Sequence, residues 1–248
     1  MPYTYPSLRT TPPVVGYYPR LDAGAAATDQ FTADGSQDGT LTNGASRVDN
    51  DGLAYSFSDV ESQYIAGTQA FAGASKVTIA YWARKSAAGK VMLCSVGSES
   101  SNSRFHISWY SDGVCYCTCE NGGSSFGYVS ESYTLAWRHF ALVFDGTATG
   151  NQNRLKLYIN GAQKNLTFSG TIPATGIFGT AIGVGRGSGV FSNGLVDDFI
   201  LYSGIALDST NIGYLAAQRG AIYESTPDDF ETEGMFGGMS GAMTGGMA

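Results

Sequence analysis

Apolar residues recur along this chain in short runs, and within most runs they alternate with other residues. Val77-Thr78-Ile79-Ala80-Tyr81-Trp82, Lys90-Val91-Met92-Leu93 and Arg104-Phe105-His106-Ile107-Ser108-Trp109-Tyr110 are three of them. His139-Phe140-Ala141-Leu142-Val143-Phe144, Leu155-Lys156-Leu157-Tyr158-Ile159 and Phe199-Ile200-Leu201-Tyr202 continue the series. Each has strand length and is bounded by Gly, Ser, Asn or Asp, which predicts a sandwich or barrel. Phe140, Leu142 and Phe144 alternate to one face, as do Leu155, Leu157 and Ile159. Such faces must bury against a second sheet. Ser111-Asp112-Gly113 and Asn160-Gly161 read as hairpin turns, because Asn, Asp and Gly tolerate positive φ. One helix is expected near the C-terminal end of this region. Asp208 caps it, Ile212, Leu215 and Ala216 form its apolar face, and Gly220 stops it after Arg219.

Both ends of the chain break the pattern. Residues 1–13 hold four of the seven prolines, with Tyr3 and Tyr5 and no apolar period, and read as an extended arm. From about Thr226 the chain turns acidic, through Asp228-Asp229-Phe230-Glu231-Thr232-Glu233. A glycine-rich tetrapeptide repeat follows, which sets Met235, Met239, Met243 and Met247 four residues apart. Two readings of this end stay open: a flexible low-complexity tail, or a docking segment whose adaptable methionines and small residues let another chain approach. The expected organisation is an N-terminal arm at 1–13, a sandwich at 14–220 and an acidic, then Gly/Met-rich tail at 221–248.

Charge and composition narrow the partners. Among the 248 residues only 14% are charged, and the formal net charge is −7. That argues against nucleic acid or an anionic lipid surface, since both call for basic patches. No run approaches the apolar length of a membrane span. The N-terminus lacks the basic and apolar regions of a secretory signal, so the expectation is a chain made in the cytoplasm without classical secretion. Cys115, Cys117 and Cys119 alternate, which puts them on one face of a strand. Together with Cys94 they read as reduced thiols in the core. A disulfide from Cys94 to one of the three is the alternative.

Four segments taken in order resemble the laminin G-like, concanavalin A-like lectin/glucanase jelly-roll superfamily. They are Trp137-Arg138-His139-Phe140-Ala141-Leu142-Val143-Phe144-Asp145-Gly146, Leu155-Lys156-Leu157-Tyr158-Ile159-Asn160-Gly161, Ile182-Gly183, and Gly194-Leu195-Val196-Asp197-Asp198-Phe199-Ile200-Leu201-Tyr202. Gly16-Tyr17-Tyr18-Pro19 and the Asp34-Gly35-Ser36 to Asp38-Gly39 loop resemble the family's opening. The resemblance spans roughly residues 14–220 and implies an all-β, two-sheet antiparallel jelly-roll sandwich, here with one short C-terminal helix and extended terminal arms. It also implies a calcium site, with Asp34 or Asp38 and Asp197 as ligands, because oxygen donors suit that ion.

Catalysis has little support in the sequence. Glycosidases on related sandwiches need two converging carboxylates, and the acidic run such enzymes carry on one strand is missing. Glu61, Glu99, Glu120, Glu131 and Glu224 are scattered. His106 and His139 read as structural histidines. Gly183-Val184-Gly185-Arg186-Gly187-Ser188-Gly189 reads as a glycine-rich hairpin rather than a phosphate loop, since no Lys-Ser/Thr follows it. The expected function is therefore non-enzymatic: a structural or adhesive subunit of a large assembly, with a phage virion surface as the favoured setting. Tyr3, Tyr5 and the four tail methionines would grip capsid or tail proteins or further copies of the chain. A carbohydrate-binding lectin is the alternative, with Tyr110, Tyr116, Tyr128 and Tyr133 as candidates to stack on sugars. A glycoside hydrolase is the second alternative.

Overall fold

The computed structural model describes residues 15–17, 26–27, 38–49, 53–68, 74–88, 91–98, 103–120, 125–132, 134–176, 179, 181–187, 189–217 and 219. Asp34, Tyr133, Gly220, the arm with Tyr3 and Tyr5, and the tail with Met235, Met239, Met243 and Met247 lie outside the described residues.

Two antiparallel sheets pack face to face. The first runs, in spatial order, β14 (Ala162–Lys164), β13 (Leu155–Ile159), β12 (Arg138–Asp145), β7 (Lys76–Lys85), β19 (Gly194–Ser203), β5 (Leu53–Phe57) and β4 (Ser46–Asp49), with β1 (Val15–Tyr17) also on β19. The second runs β15 (Thr167–Ser169), β11 (Phe126–Ser130), β10 (Val114–Cys119), β9 (Ser103–Trp109), β8 (Met92–Ser98), β16 (Ala181–Val184), β6 (Tyr64–Thr68), β3 (Gly39–Thr42) and β2 (Ala26–Ala27). A small hairpin, β17 (Arg186–Gly187) with β18 (Val190–Phe191), fills the predicted glycine-rich stretch. Non-sequential neighbours such as β12–β7–β19 are the crossovers of a jelly roll.

The alternation read from the sequence is the alternation that builds the core. Ile79 and Tyr81 of β7, Phe140, Leu142 and Phe144 of β12, and Leu157 of β13 point inward. Phe105, Ile107 and Trp109 of β9, with Cys115, Cys117 and Cys119 of β10, meet them from the other sheet. The rings interlock: Trp109 lies 5.4 Å from Phe140, and Phe140 5.7 Å from Tyr81, between centroids. All four cysteines are buried free thiols. Cys94 faces Ile107, which faces Cys117, so a whole strand separates them. Burial pushes the Cys115 thiol up to about 12 and the Cys94 and Cys117 thiols well above their ordinary value.

The predicted turns form as read. Asn160 and Gly161 take φ of 51° and 77° between β13 and β14, and Gly113 takes 81° between β9 and β10. Two details depart from the sequence reading. The strand expected at 90–93 starts at Met92 and continues to Ser98. A four-residue helical turn, α1 (Asn151–Arg154), precedes β13 and was not expected. The second helix, α2 (Ser209–Leu215), forms as predicted, with the Asp208 carboxylate accepting from the Asn211 N–H. It ends at Ala216, and its Ile212 and Leu215 pack on Ala80, Ala141 and Tyr202 of the first sheet's outer face. Among the described residues no helix is long and apolar enough to cross a membrane.

The Asp197-Asp198 pair is a β-bulge. Asp197 faces Trp82, yet Ile200 faces Ala80, so β19 spends one residue more than β7 there. Asp198 absorbs the extra residue at φ 48°, which lets Val196 and Phe199 both reach the core. An Asp tolerates this left-handed backbone better than most residues.

Candidate functional site

The outward side chains of β9, β10 and β11 form one patch, and the register fixes its layout. Tyr116 lies between Ser108 and Tyr128 on neighbouring strands, and Thr118 lies between His106 and Phe126. Tyr110, at the end of β9, meets the Tyr116 ring edge-on at 5.5 Å. Tyr116 is 6.0 Å from Tyr128 and 5.9 Å from Phe126, and Phe126 is 6.1 Å from Tyr128. Three of the four candidate tyrosines thus converge on one aromatic platform on the outer face of the second sheet. Phe126 joins them, and the sequence reading missed it. Its signal was positional: it stands two residues before Tyr128, hence on the same face. Tyr128 is 36% exposed, so the platform is open to solvent at that ring.

Polar groups flank the platform. His106 and Ser108 are buried, and among the described residues neither His106 Nδ1 nor Ser108 Oγ has a hydrogen-bond partner. His106 Nε2 bonds Thr118 Oγ1 at 3.2 Å. Burial, with a smaller contribution from Arg104, holds the His106 pKa down to about 3, so its ring is neutral. Charges beside the platform are matched. Arg104 Nε donates to Glu120 Oε2 at 2.8 Å, and Glu131 bonds both Arg138 and Lys164. Burial opposes ionisation of Glu131, but those two cations outweigh it and keep the carboxyl below its usual range.

Asp38 and Asp197, two of the carboxylates assigned to calcium, sit elsewhere. Asp197 is 1% exposed on the first sheet's outer face. Its Oδ2 accepts from Arg219 at 2.9 Å, and its Oδ1 accepts from the Asp198 N–H at 2.8 Å. Arg219 also lies 4.2 Å over the Trp137 ring. Asp38 is exposed, and both it and Asp197 act electrostatically on Tyr55. Among the described residues no group of three His, Cys, Asp or Glu side chains is placed to hold a metal. His139 is buried beside Trp82 with ring centroids 5.5 Å apart, and burial brings its pKa down to about 3.

A family model described as the concanavalin A-like lectin/glucanases superfamily matches residues 58–213, well over half of the chain. No curated protein matches the sequence. Among solved structures, domain 4 of AbnA, an extracellular arabinanase of Geobacillus stearothermophilus in complex with arabinotriose, is similar with a TM-score of 0.52 and 18% identity. That match covers 76% of this chain and 92% of the domain. A botulinum neurotoxin type C structure, described by its interaction with two ganglioside molecules, gives a TM-score of 0.61 at 16% identity over 86% of this chain and 53% of the toxin chain. The Trypanosoma rangeli sialidase bound to the inhibitor DANA gives 0.56 at 16% over 81% of this chain and 32% of the enzyme. At these identities the likeness is one of fold.

Proposed function

The chain belongs to the concanavalin A-like lectin/glucanase superfamily, and from that premise we propose that its sandwich is a non-catalytic, carbohydrate-binding module that gives a larger assembly its adhesive surface. The observation that carries this reading is the Tyr110–Tyr116–Phe126–Tyr128 platform. Amphipathic rings present an apolar face to the C–H side of a sugar while their hydroxyls bond its edge. The arabinotriose complex of the similar arabinanase domain and the ganglioside interaction of the similar toxin point to the same class of ligand.

The carboxylates argue for binding over hydrolysis. Hydrolysis needs one carboxyl held protonated and a second facing it across the bond. Here Glu120, Glu131, Asp145 and Asp197 are each committed to a cation of the protein itself. Calcium is outside this reading, because Asp197 already serves Arg219. Adding a chelator is expected to leave sugar affinity unchanged in a calorimetric titration. A loss of binding on chelation would return Asp38 and Asp197 to a calcium site.

Substituting Tyr128→Ala tests the platform itself. Tyr128 is partly exposed, so the variant is expected to fold normally and to bind the best ligand of a glycan array about tenfold or more weakly. Unchanged affinity would remove the platform from the reading.

The composition of the two ends supports a second, compatible reading, in which the module is a phage virion surface subunit held by residues 1–13 and 221–248. Deleting both ends is then expected to abolish incorporation into particles while glycan binding persists. Particles that still incorporate the truncated chain would refute it.

A further inference from the structure

A cleft of about 350 Å³ opens at the edge of the sandwich, where the chain passes from β14 in the first sheet to β15 in the second. We propose that this cleft is a second saccharide site, built for one neutral sugar unit and separate from the aromatic platform.

Its walls combine the two surfaces a sugar ring needs. The floor is apolar: Leu155, which is buried, with Leu166 and Phe168. Both Leu166 and Phe168 are seated on Gly127, where an added Cβ would lie 2.9 Å from one and 3.0 Å from the other. The rim carries three amides, Gln152 of α1, Gln163 of β14 and Asn165 of the crossover. Each amide offers donors and an acceptor side by side, the complement of vicinal hydroxyls, which also donate and accept. Gln163 Oε1 is already held by the Tyr158 hydroxyl at 3.2 Å. The side chains of Gln152 and Asn165 make no hydrogen bond within the described residues, so both remain available to a ligand.

The cleft is also preformed. Asn151 bonds Gly170 O through Nδ2 and the Ile172 N–H through Oδ1, and Arg154 Nη1 donates to Ile172 O at 2.8 Å. These contacts tie α1 to the 170–172 loop and fix the wall that carries Gln152. Preorganisation of this kind lowers the ordering cost of binding.

Charge selects the ligand class. Lys164 is the cation at the rim, and Glu131 Oε2 holds its ammonium at 2.9 Å. No carboxylate or phosphate group would find an unmatched positive partner among the lining residues. The volume lies at the lower end of ligand pockets, roughly 300–1,000 Å³, which suits a single ring rather than a long chain. The cleft and the platform share β15, because Thr167, between Leu166 and Phe168, faces Tyr128 across the ladder.

The test is an NMR titration of the full chain with a panel of neutral monosaccharides (glucose, galactose, arabinose and N-acetylglucosamine) and with glucuronate as the charged counterpart. With at least one neutral sugar, the side-chain amide signals of Gln152 and Asn165 are expected to move, and glucuronate is expected to move them at least tenfold more weakly. The Gln152→Ala/Asn165→Ala variant should lose at least tenfold in that binding, whereas Tyr128→Ala should keep it. Shifts confined to Tyr116, Phe126 and Tyr128 would overturn the cleft and leave the platform standing. Shifts confined to the cleft would support it and remove the platform. Preference for glucuronate would overturn the neutral-sugar assignment, and silence at both places would overturn both.

Discussion

Lowering the pH from 7 to 5 is expected to remove about 4 kcal/mol of folding stability, and the two histidines account for it. His106 and His139 are buried on the outer faces of opposite sheets, and burial holds each pKa down to about 3. In the unfolded chain each would titrate near its ordinary value of about 6.5. Between those two values the unfolded state binds protons that the folded state refuses. Stability is therefore fully present above about pH 6.5 and is lost as the pH falls toward 3. Each histidine contributes about 2 kcal/mol of that loss between pH 7 and 5. Glu131 and Asp145 have lowered values, so their contributions disappear only at more acid pH and leave this window to the histidines. Denaturant unfolding at pH 7, 6 and 5 reads the effect directly. Replacing either histidine by Gln should halve the slope, even if the variant starts from a lower stability. A flat profile would show that water or a ligand reaches both imidazoles in the folded state.

The histidines also show which features the sequence discloses. His139 belongs to a motif with period two, and its place on the outer face follows from Phe140, Leu142 and Phe144 facing inward. That His106 is buried could not be read, because it depends on which strands lie beside β9. The platform has the same limit. Tyr116 and Tyr128 are twelve residues apart in a hairpin whose connecting segment does not fix their register, yet the ladder sets them directly opposite. The helix was legible because its cap, Asp208, and its apolar positions are local. Asp197 stood out in the sequence as a candidate calcium ligand, but its neighbours in sequence do not announce a bulge or an arginine twenty-two residues later. The cleft was invisible, since Gln152, Asn165 and Phe168 come from separate segments that no local pattern in the sequence brings together.

Trp109→Ala is expected to cost the sandwich about 5 kcal/mol, the upper end of the usual range for removing a buried Trp. The ring has no exposure and spans the space between the sheets, where it packs on Phe140 at 5.4 Å. Deleting it loses the transfer energy of a large side chain and leaves a cavity that two tightly paired sheets cannot close. Electrostatics add to the loss. The Lys85 ammonium sits 4.0 Å above the ring, and the Arg138 guanidinium lies 5.5 Å from it. Lys85 is 1% exposed at an inward position of β7, and Nζ donates to the Tyr110 carbonyl at 2.6 Å. Burial already brings its pKa down to about 8, because desolvation disfavours the charged form. Without the ring, the ammonium keeps the Tyr110 carbonyl and loses the π face that helps to offset its desolvation. Trp109→Phe should therefore cost much less than Trp109→Ala, and Lys85→Met in the Ala background should recover part of the difference. Urea unfolding checks this through a shifted midpoint at unchanged slope. A loss below about 2 kcal/mol for Trp109→Ala would mean that the core repacks around the gap, and that this ring is not the tie between the sheets.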